Sequence, residues 1–138
     1  MKKDESGKKI FSHANRVTVS NNGKIYVTDK SNGLIALDRD GLVLWEYDGE
    51  PDGEPSDLYG ARSVCVDGFG NVFVCGFFSD NVLEFGDDGE RLGEVVSAKR
   101  HDISRRPQCV SFDRNNCRLI VTCLENDEIY IFTVSRGI

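Results

Sequence analysis

The feature that most constrains how this chain can fold is a sequence pattern that occurs three times. Val17, Val64 and Val110 occupy the same place in the pattern, 47 and 46 residues apart, and a second apolar residue follows each by eight or nine positions. A repeat of this length is typical of architectures in which each copy is one small unit that buries its apolar face against the next. The chain is therefore expected to fold as a series of similar units.

Each copy has the pattern of an antiparallel sheet. Residues 25–28 alternate between two faces, both fairly apolar, which favours strands buried in a packed sheet. Residues that tolerate positive φ, such as Asn22-Gly23 and Asn115-Asn116, separate the strands. The predicted strands are 16–20, 24–28, 33–37 and 42–47 in the first copy, 63–67, 71–75, 81–85 and 91–96 in the second, and 108–112, 118–122 and 128–134 in the third.

A four-stranded antiparallel unit repeated around an axis is the blade of a β-propeller. We therefore predict an all-β propeller with blades at 15–49, 62–98 and 108–138, the last lacking its outer strand. No stretch has convincing helical periodicity. The alternative is a sandwich or barrel whose strands are evenly spaced by coincidence, and the agreement of strands, turns and offsets among the copies disfavours it.

The residues of each copy also resemble those of a known repeat. Asn22–Asp29 matches a turn followed by an I-Y-V-A-D-like strand, and related stretches occur at 70–85 and 118–132. Over residues 15–134 the sequence is similar to NHL repeats, particularly those of tripartite-motif proteins. This resemblance implies a propeller of NHL type, usually with about six blades. It also implies a ubiquitin-ligase context, in which RING, B-box and coiled-coil parts would come from elsewhere. The third copy departs from the pattern at Asn116 and Cys123.

Three blades are half of a six-bladed ring, so both flanks of the predicted half ring are apolar and uncovered. The segment 1–14 precedes the first blade, and Lys8–Ser12 lies where an outer strand would, the strand that the third blade lacks. Two copies could close a ring by exchanging this strand. The alternative is that the chain is a fragment of a longer propeller. The residues expected at the closure are Lys9, Ile10, Phe11, Ile129 and Ile131.

The long connections of the blades are predicted to lie on one face. They span 48–61, which is acidic, and 97–107, which is basic. Long loops on a rigid scaffold commonly carry binding. Phe77-Phe78 in a neighbouring loop is either packed between blades or an anchor for a partner. The candidate partner-binding residues are Tyr59, Arg62, Phe77, Phe78, Lys99, Arg100, His101, Arg105 and Arg106.

The charge of the chain favours a protein as the partner. With 17 basic and 23 acidic residues the net charge is −6, which opposes binding of DNA by bulk charge. Acidic and basic loops together suit a protein surface. RNA is the alternative, with the basic connection contacting phosphates and Tyr59 stacking on a base. No apolar run is long enough to cross a membrane, so no membrane partner is expected.

The sequence carries no pattern that predicts catalysis. G-x-S-x-G, H-E-x-x-H and phosphate-binding loops are absent. The two histidines, His13 and His101, fall in predicted loops and are too few for the ligand sets of metal-dependent propeller enzymes. We therefore expect a protein without catalytic activity, cofactor or metal. Five cysteines without C-x-x-C argue against a disulfide framework or a zinc ribbon, and favour reduced thiols in a cytoplasmic protein.

Overall fold

The computed structural model describes residues 13–49, 57–101, 103, 105–125 and 128–134. Over these residues the chain forms eleven strands in three antiparallel sheets, which we call blades 1, 2 and 3. Blade 1 contains β1 (Ala14–Val19), β2 (Ile25–Asp29), β3 (Gly33–Leu37) and β4 (Val43–Tyr47); blade 2 contains β5 (Ala61–Val66), β6 (Val72–Gly76), β7 (Asn81–Phe85) and β8 (Arg91–Ser97); blade 3 contains β9 (Pro107–Asp113), β10 (Arg118–Cys123) and β11 (Ile129–Thr133).

In every blade the strands that follow one another in the chain also pair in the sheet, with the orders β1-β2-β3-β4, β5-β6-β7-β8 and β11-β10-β9. The strand ends lie within one or two residues of the predicted ones. The prediction of an all-β propeller built from three repeated sheets is thereby confirmed. Blade 3 has three strands in the described part of the chain, and β11 lies at its edge. The proposed strand at Lys8–Ser12 lies outside the described residues.

Two local features differ from the sequence prediction. A single helical turn, α1 (Ala98–His101), lies in the connection between β8 and β9. Four residues are too few to show a helical period, so the pattern could not indicate it. In the β9–β10 turn the positive φ falls on Cys117, at 52°, and neither Asn115 nor Asn116 has one. The residue inserted in the third copy therefore takes the left-handed conformation itself.

Neighbouring blades pack face to face through their apolar side chains. Tyr26 and Leu34 of blade 1 meet Val64, Val72 and Phe85 of blade 2 in one cluster of buried residues. A second cluster joins blade 2 to blade 3 and is built in the same way. Its members include Phe73, Cys75, Val82 and Val96 on one side and Val110, Leu119, Val121 and Cys123 on the other.

The short turns of blades 1 and 2 are joined on one side of the molecule, which we call the turn face. Lys24 Nζ lies 2.9 Å from Asp87 Oδ2, and Tyr26 Oη lies 3.3 Å from Asp87 Oδ1. The indole Nε1 of Trp45 donates to the carbonyl oxygen of Asp87 at 3.2 Å. Hydrogen bonding from Lys24 lowers the pKa of the Asp87 carboxyl, while desolvation together with the Asp87 charge raises that of Tyr26. Asp87 therefore connects blade 2 to three side chains of blade 1.

Candidate functional site

The long connections meet on the opposite side of the molecule, the loop face, around the loop between β6 and β7. The amide of Phe78 donates to the carbonyl of Tyr59 at 3.1 Å, and the Ser79 hydroxyl accepts from the Tyr59 amide at 3.1 Å. On the other side, the amide of Ala98 donates to the carbonyl of Asp80 at 2.9 Å. The 77–80 loop is thus held by both neighbouring connections, and the three segments form one surface.

The two phenylalanines of this loop have different environments. Phe77 is buried, and the Arg62 and Arg106 guanidinium carbons lie 4.6 and 5.9 Å from the centre of its ring. Phe78 is 57% exposed, and its ring stands nearly perpendicular to that of Phe77 at 5.0 Å. Gly60, with φ of +63°, allows this arrangement, because a Cβ there would lie 2.7 Å from the Phe78 ring. Phe77 therefore packs the scaffold, and Phe78 presents an apolar surface to solvent.

The backbone is strained where the loop meets the basic connection. Asp80 and Arg106 have φ angles of 55° and 62°, a region that residues other than glycine rarely adopt. Asp80 Oδ1 accepts a hydrogen bond from the Arg106 amide at 2.7 Å, and the amide of Leu124 donates to the Arg106 carbonyl at 3.0 Å. These bonds fix both residues in the strained conformation. Strain of this kind is concentrated at binding sites, which supports a functional assignment for this face.

The predicted basic residues take different positions. Arg100 is bound to β8, because its Nη2 donates to the Glu94 carbonyl at 2.7 Å and lies 3.7 Å from the Glu94 carboxylate. His101 Nδ1 accepts from the Ser97 amide at 3.1 Å, and the imidazole packs edge-on against Phe132, 5.5 Å away. His101 thus borders blade 3, away from Phe77 and Phe78. Tyr59 lines a separate cavity of about 220 Å³.

Lys99, Arg105 and Arg106 line two adjoining cavities, which together we call the loop-face cleft. The larger cavity, of about 760 Å³, is bordered by Lys99. The smaller, of about 380 Å³, is bordered by Phe78 and Arg106. Asp80 and Arg105 border both cavities. The basic and aromatic side chains that line the cleft among the described residues all belong to the set proposed from the sequence, and their role in binding stays a prediction.

The acidic residues of the cleft were missed as site residues. Glu125 Oε1 lies 3.9 Å from Arg106 Nε, although the two belong to different connections of blade 3. Asp57, from the acidic connection, is paired elsewhere. Its carboxylate accepts from the Tyr47 hydroxyl at 2.5 Å and lies 2.6 Å from Arg91, which is on β8. In the described part of the acidic connection, the Asp57 charge is therefore neutralised by a strand residue and not by the basic connection.

Asp29 and the buried cysteines of blade 2 have structural roles. Asp29 caps the bend after β2, accepting at Oδ1 from the amides of Ser31 and Asn32 at 2.9 and 3.1 Å. Burial raises the pKa of the Cys75 thiol to about 12, and burial also raises that of Cys65. Over the described ranges no group of side chains is suited to hold a metal ion, and no helix is long and apolar enough to cross a membrane.

Of the residues predicted for ring closure, those on β11 are among the described residues. Ile129 and Ile131 are 63% and 53% exposed on β11, at the edge of blade 3. Lys9, Ile10 and Phe11 lie outside the described residues. No contact of the predicted exchange strand is therefore described, and the closure stays a prediction.

Among solved structures, the chain is similar in fold to several larger proteins. Hydrazine synthase from Kuenenia stuttgartiensis matches 91% of this chain with a TM-score of 0.69 and 15% identity. The β-propeller domain of Swd1 from Myceliophteria thermophila matches 91% with a TM-score of 0.66 and 12% identity. Nidogen, in a complex with laminin, matches 91% with a TM-score of 0.67 and 13% identity.

These likenesses show that the chain folds as blades of a β-propeller, and at such low identity they show the fold alone. The chain spans 34%, 37% and 45% of the lengths of those three proteins. No protein-family model matches the sequence, and no curated protein matches it. What the chain does is therefore argued from its own side chains.

Proposed function

We propose that this chain is a non-catalytic protein-recognition module of NHL-propeller type that binds its partner on the loop face. The observation that carries the proposal is the exposed ring of Phe78, held beside strained and hydrogen-bonded backbone at Asp80 and Arg106. A rigid aromatic side chain with charged neighbours is the kind of anchor that dominates the energy of protein interfaces. The assignment to the NHL type rests on the resemblance of the repeats.

Photo-crosslinking from position 78 tests this function. p-Benzoylphenylalanine in place of Phe78 is expected to give protein adducts when the full chain is irradiated in an extract of its source cells. Phe69 is the matched control, because it is 77% exposed but lies in the β5–β6 turn on the turn face. Adducts that protease removes and nuclease does not, formed from position 78 alone, support the proposal. Equal labelling from both positions, or no adduct at all, contradicts it.

RNA binding is the second candidate, since neither Lys99 nor Arg105 has an ion-pair partner among the described residues. Filter binding with single-stranded RNA at several salt concentrations decides between the two. We expect weak binding that Arg105→Ala with Arg106→Ala barely changes. Salt-sensitive micromolar binding abolished by the double variant would reverse the ranking, because phosphate contacts produce a steep salt dependence.

We further propose that two copies close a six-bladed ring. Blade 2 packs on blade 1 through one set of positions in its sheet. In blade 1 the same positions include Val17 and Val19, which are 63% and 56% exposed on the outer side of that blade. Blade 1 packs on blade 2 through a second set of positions. In blade 3 the same positions are Ile120, Ile129 and Ile131, which lie on the outer side of that blade. The two outer faces thus carry the same positions that the chain uses where its own blades pack together, which supports closure by a second copy.

Light scattering after size-exclusion chromatography tests the closure. A dimer gives twice the chain mass of 15.4 kDa, and deletion of residues 1–12 or the pair Val17→Asp and Val19→Asp should convert it to single chains. Phe69→Asp, on an exposed turn, is the matched control and should leave the dimer intact. A wild-type mass of one chain at all concentrations contradicts the closure and leaves the recognition function in place.

A further inference from the structure

The loop-face cleft has a composition that narrows the chemistry of its ligand. We propose that it binds an extended peptide segment carrying an acidic side chain next to an apolar one. This inference rests on the proposed recognition function and specifies the partner's chemistry. Its central residues are Asp80 and Arg105, which border both the cavity of about 760 Å³ and that of about 380 Å³. A cleft of this size takes a few side chains of a partner.

The cleft carries one more positive than negative charge among the described residues. Its four basic and three acidic side chains are Lys99, Arg100, Arg105 and Arg106, and Asp80, Glu94 and Glu125. Asp80 Oδ1 accepts from the Arg106 amide at 2.7 Å, and the Glu94 carboxylate accepts from Asn81 Nδ2 at 2.9 Å. The side chains of Lys99 and Arg105 are exposed and have no ion pair or hydrogen bond within the described ranges of the chain. A guanidinium presents paired donors that match a carboxylate, so Arg105 is suited to take an acidic side chain from the partner.

An apolar anchor lies beside these cations. The Phe78 ring is held by Phe77 and by the backbone at Gly60, so little side-chain entropy is lost when a partner covers it. Across the larger cavity, Ile103 is buried and Ala98 lies at the start of α1. A partner that places an aliphatic or aromatic side chain on Phe78 therefore brings its neighbouring residues to Arg105.

The same cleft is poorly suited to a polyphosphate backbone. Asp80, Glu94 and Glu125 line it, and they would repel the regularly spaced charges of a nucleic acid. A peptide with one or two carboxylates places its charges locally and avoids these three. Electrostatic complementarity of this local kind determines which partner binds more than how tightly.

Selection from a random peptide library displayed on phage tests the inference with the full chain. We expect enriched peptides to carry aspartate or glutamate beside an aliphatic or aromatic residue. Synthetic peptides of that consensus should bind about tenfold more weakly when the acid is replaced by alanine. The pair Lys99→Glu and Arg105→Glu should shift the selected consensus from acidic to basic residues. Arg39→Glu, exposed in the β3–β4 turn of the turn face, is the matched control and should leave the consensus acidic.

The outcomes separate this inference from the recognition function. Peptides that require Phe78 but show no preference for an acid overturn the inference and leave the function standing. A consensus that stays acidic in the charge-reversed pair also overturns it, because it locates the acid away from Arg105. Failure to enrich any peptide, together with the absence of protein adducts from position 78, overturns both. Selective binding of single-stranded RNA to the cleft also overturns the inference, because the ligand is then RNA and not a peptide.

Discussion

At the scale of single residues, two aspartates join segments that are distant in the sequence. Asp87, which follows β7, pairs with Lys24 and accepts hydrogen bonds from Tyr26 and Trp45 of blade 1. The Asp80 carboxylate accepts a hydrogen bond from the amide of Arg106, which is 26 positions further along the chain. Both aspartates therefore hold together parts of the molecule that are far apart along the chain.

We expect Asp87→Asn to weaken the chain in a manner that depends on pH. The folded state lowers the pKa of this carboxyl, so its stabilising contribution is present above the pKa of the unfolded chain, near 4, and is lost as the pH falls through the folded value. Because the Asp87 side chain is 43% exposed, solvent screening limits the loss to about 1 kcal/mol of unfolding free energy at pH 7.

Urea unfolding of the wild-type chain and this variant at pH 7 and near pH 2.5 measures the effect. The difference between the two midpoints should be clear at neutral pH and should vanish in acid. Glu90→Gln, an exposed acid in the same turn, is the control and should be close to wild type at both. A difference that is the same at both pH values would show that the Asp87 charge contributes nothing.

At the scale of elements, the sequence predicted regular structure well and loop geometry poorly. Gly23, in the predicted turn Asn22-Gly23, has the expected positive φ of 86°, and Gly89 in the β7–β8 turn has one of 92°. The Phe77-Phe78 pair could not be resolved into one buried and one exposed ring, because both lie in a four-residue loop without a period. His101 shared a basic segment with Arg105, but helix α1 directs it towards Phe132. Side-chain direction in the connections depends on tertiary contacts.

The turn glycines offer a comparison of local strain with blade packing. Gly70 and Gly89 have nearly the same φ, 90° and 92°, so replacement by alanine imposes a similar backbone cost of about 1 kcal/mol on each. A Cβ at Gly89 would lie 2.8 Å from the Trp45 ring, whereas at Gly70 the nearest atom is 3.5 Å away. We expect Gly89→Ala to lose about 1 kcal/mol more than Gly70→Ala, measured by chemical denaturation. Equal losses would mean that Trp45 moves without cost.

At the scale of the whole molecule, the interface between blades is the unit that the chain repeats. Val64, Val72 and Val74 of blade 2 have equivalents in blade 3 at Val110, Leu119 and Val121, and both sets are buried against the preceding blade. This regularity follows directly from the hydrophobic pattern. The hydrophobic pattern does not identify what covers the outer flanks, since a second copy and further repeats of a longer chain would place the same apolar positions against them.

Alkylation of Cys109 reports on the proposed closure. Cys109 is exposed on blade 3 at the position equivalent to Ser63, which is 4% exposed and accepts the Val110 amide from the next blade at 3.1 Å. We expect the rate of its reaction with iodoacetamide, followed by mass spectrometry, to fall as protein concentration rises. Cys117, in a turn away from this flank, is the internal control and should react at a constant rate. A Cys109 rate that is independent of concentration argues against closure by a second copy.

The number of repeats in the chain sets a counting rule for any assembly it makes with itself. An interface between unlike faces continues from copy to copy until the rotation completes a full circle. The described residues form three blades, so a ring closed by copies of this chain, as proposed, would hold a multiple of three. Known propellers have about 4 to 8 blades, a range in which six is the only such number. Under the proposed closure, copies of this chain would thus form one closed stoichiometry, and a change in the angle per blade would yield open filaments in place of a larger ring.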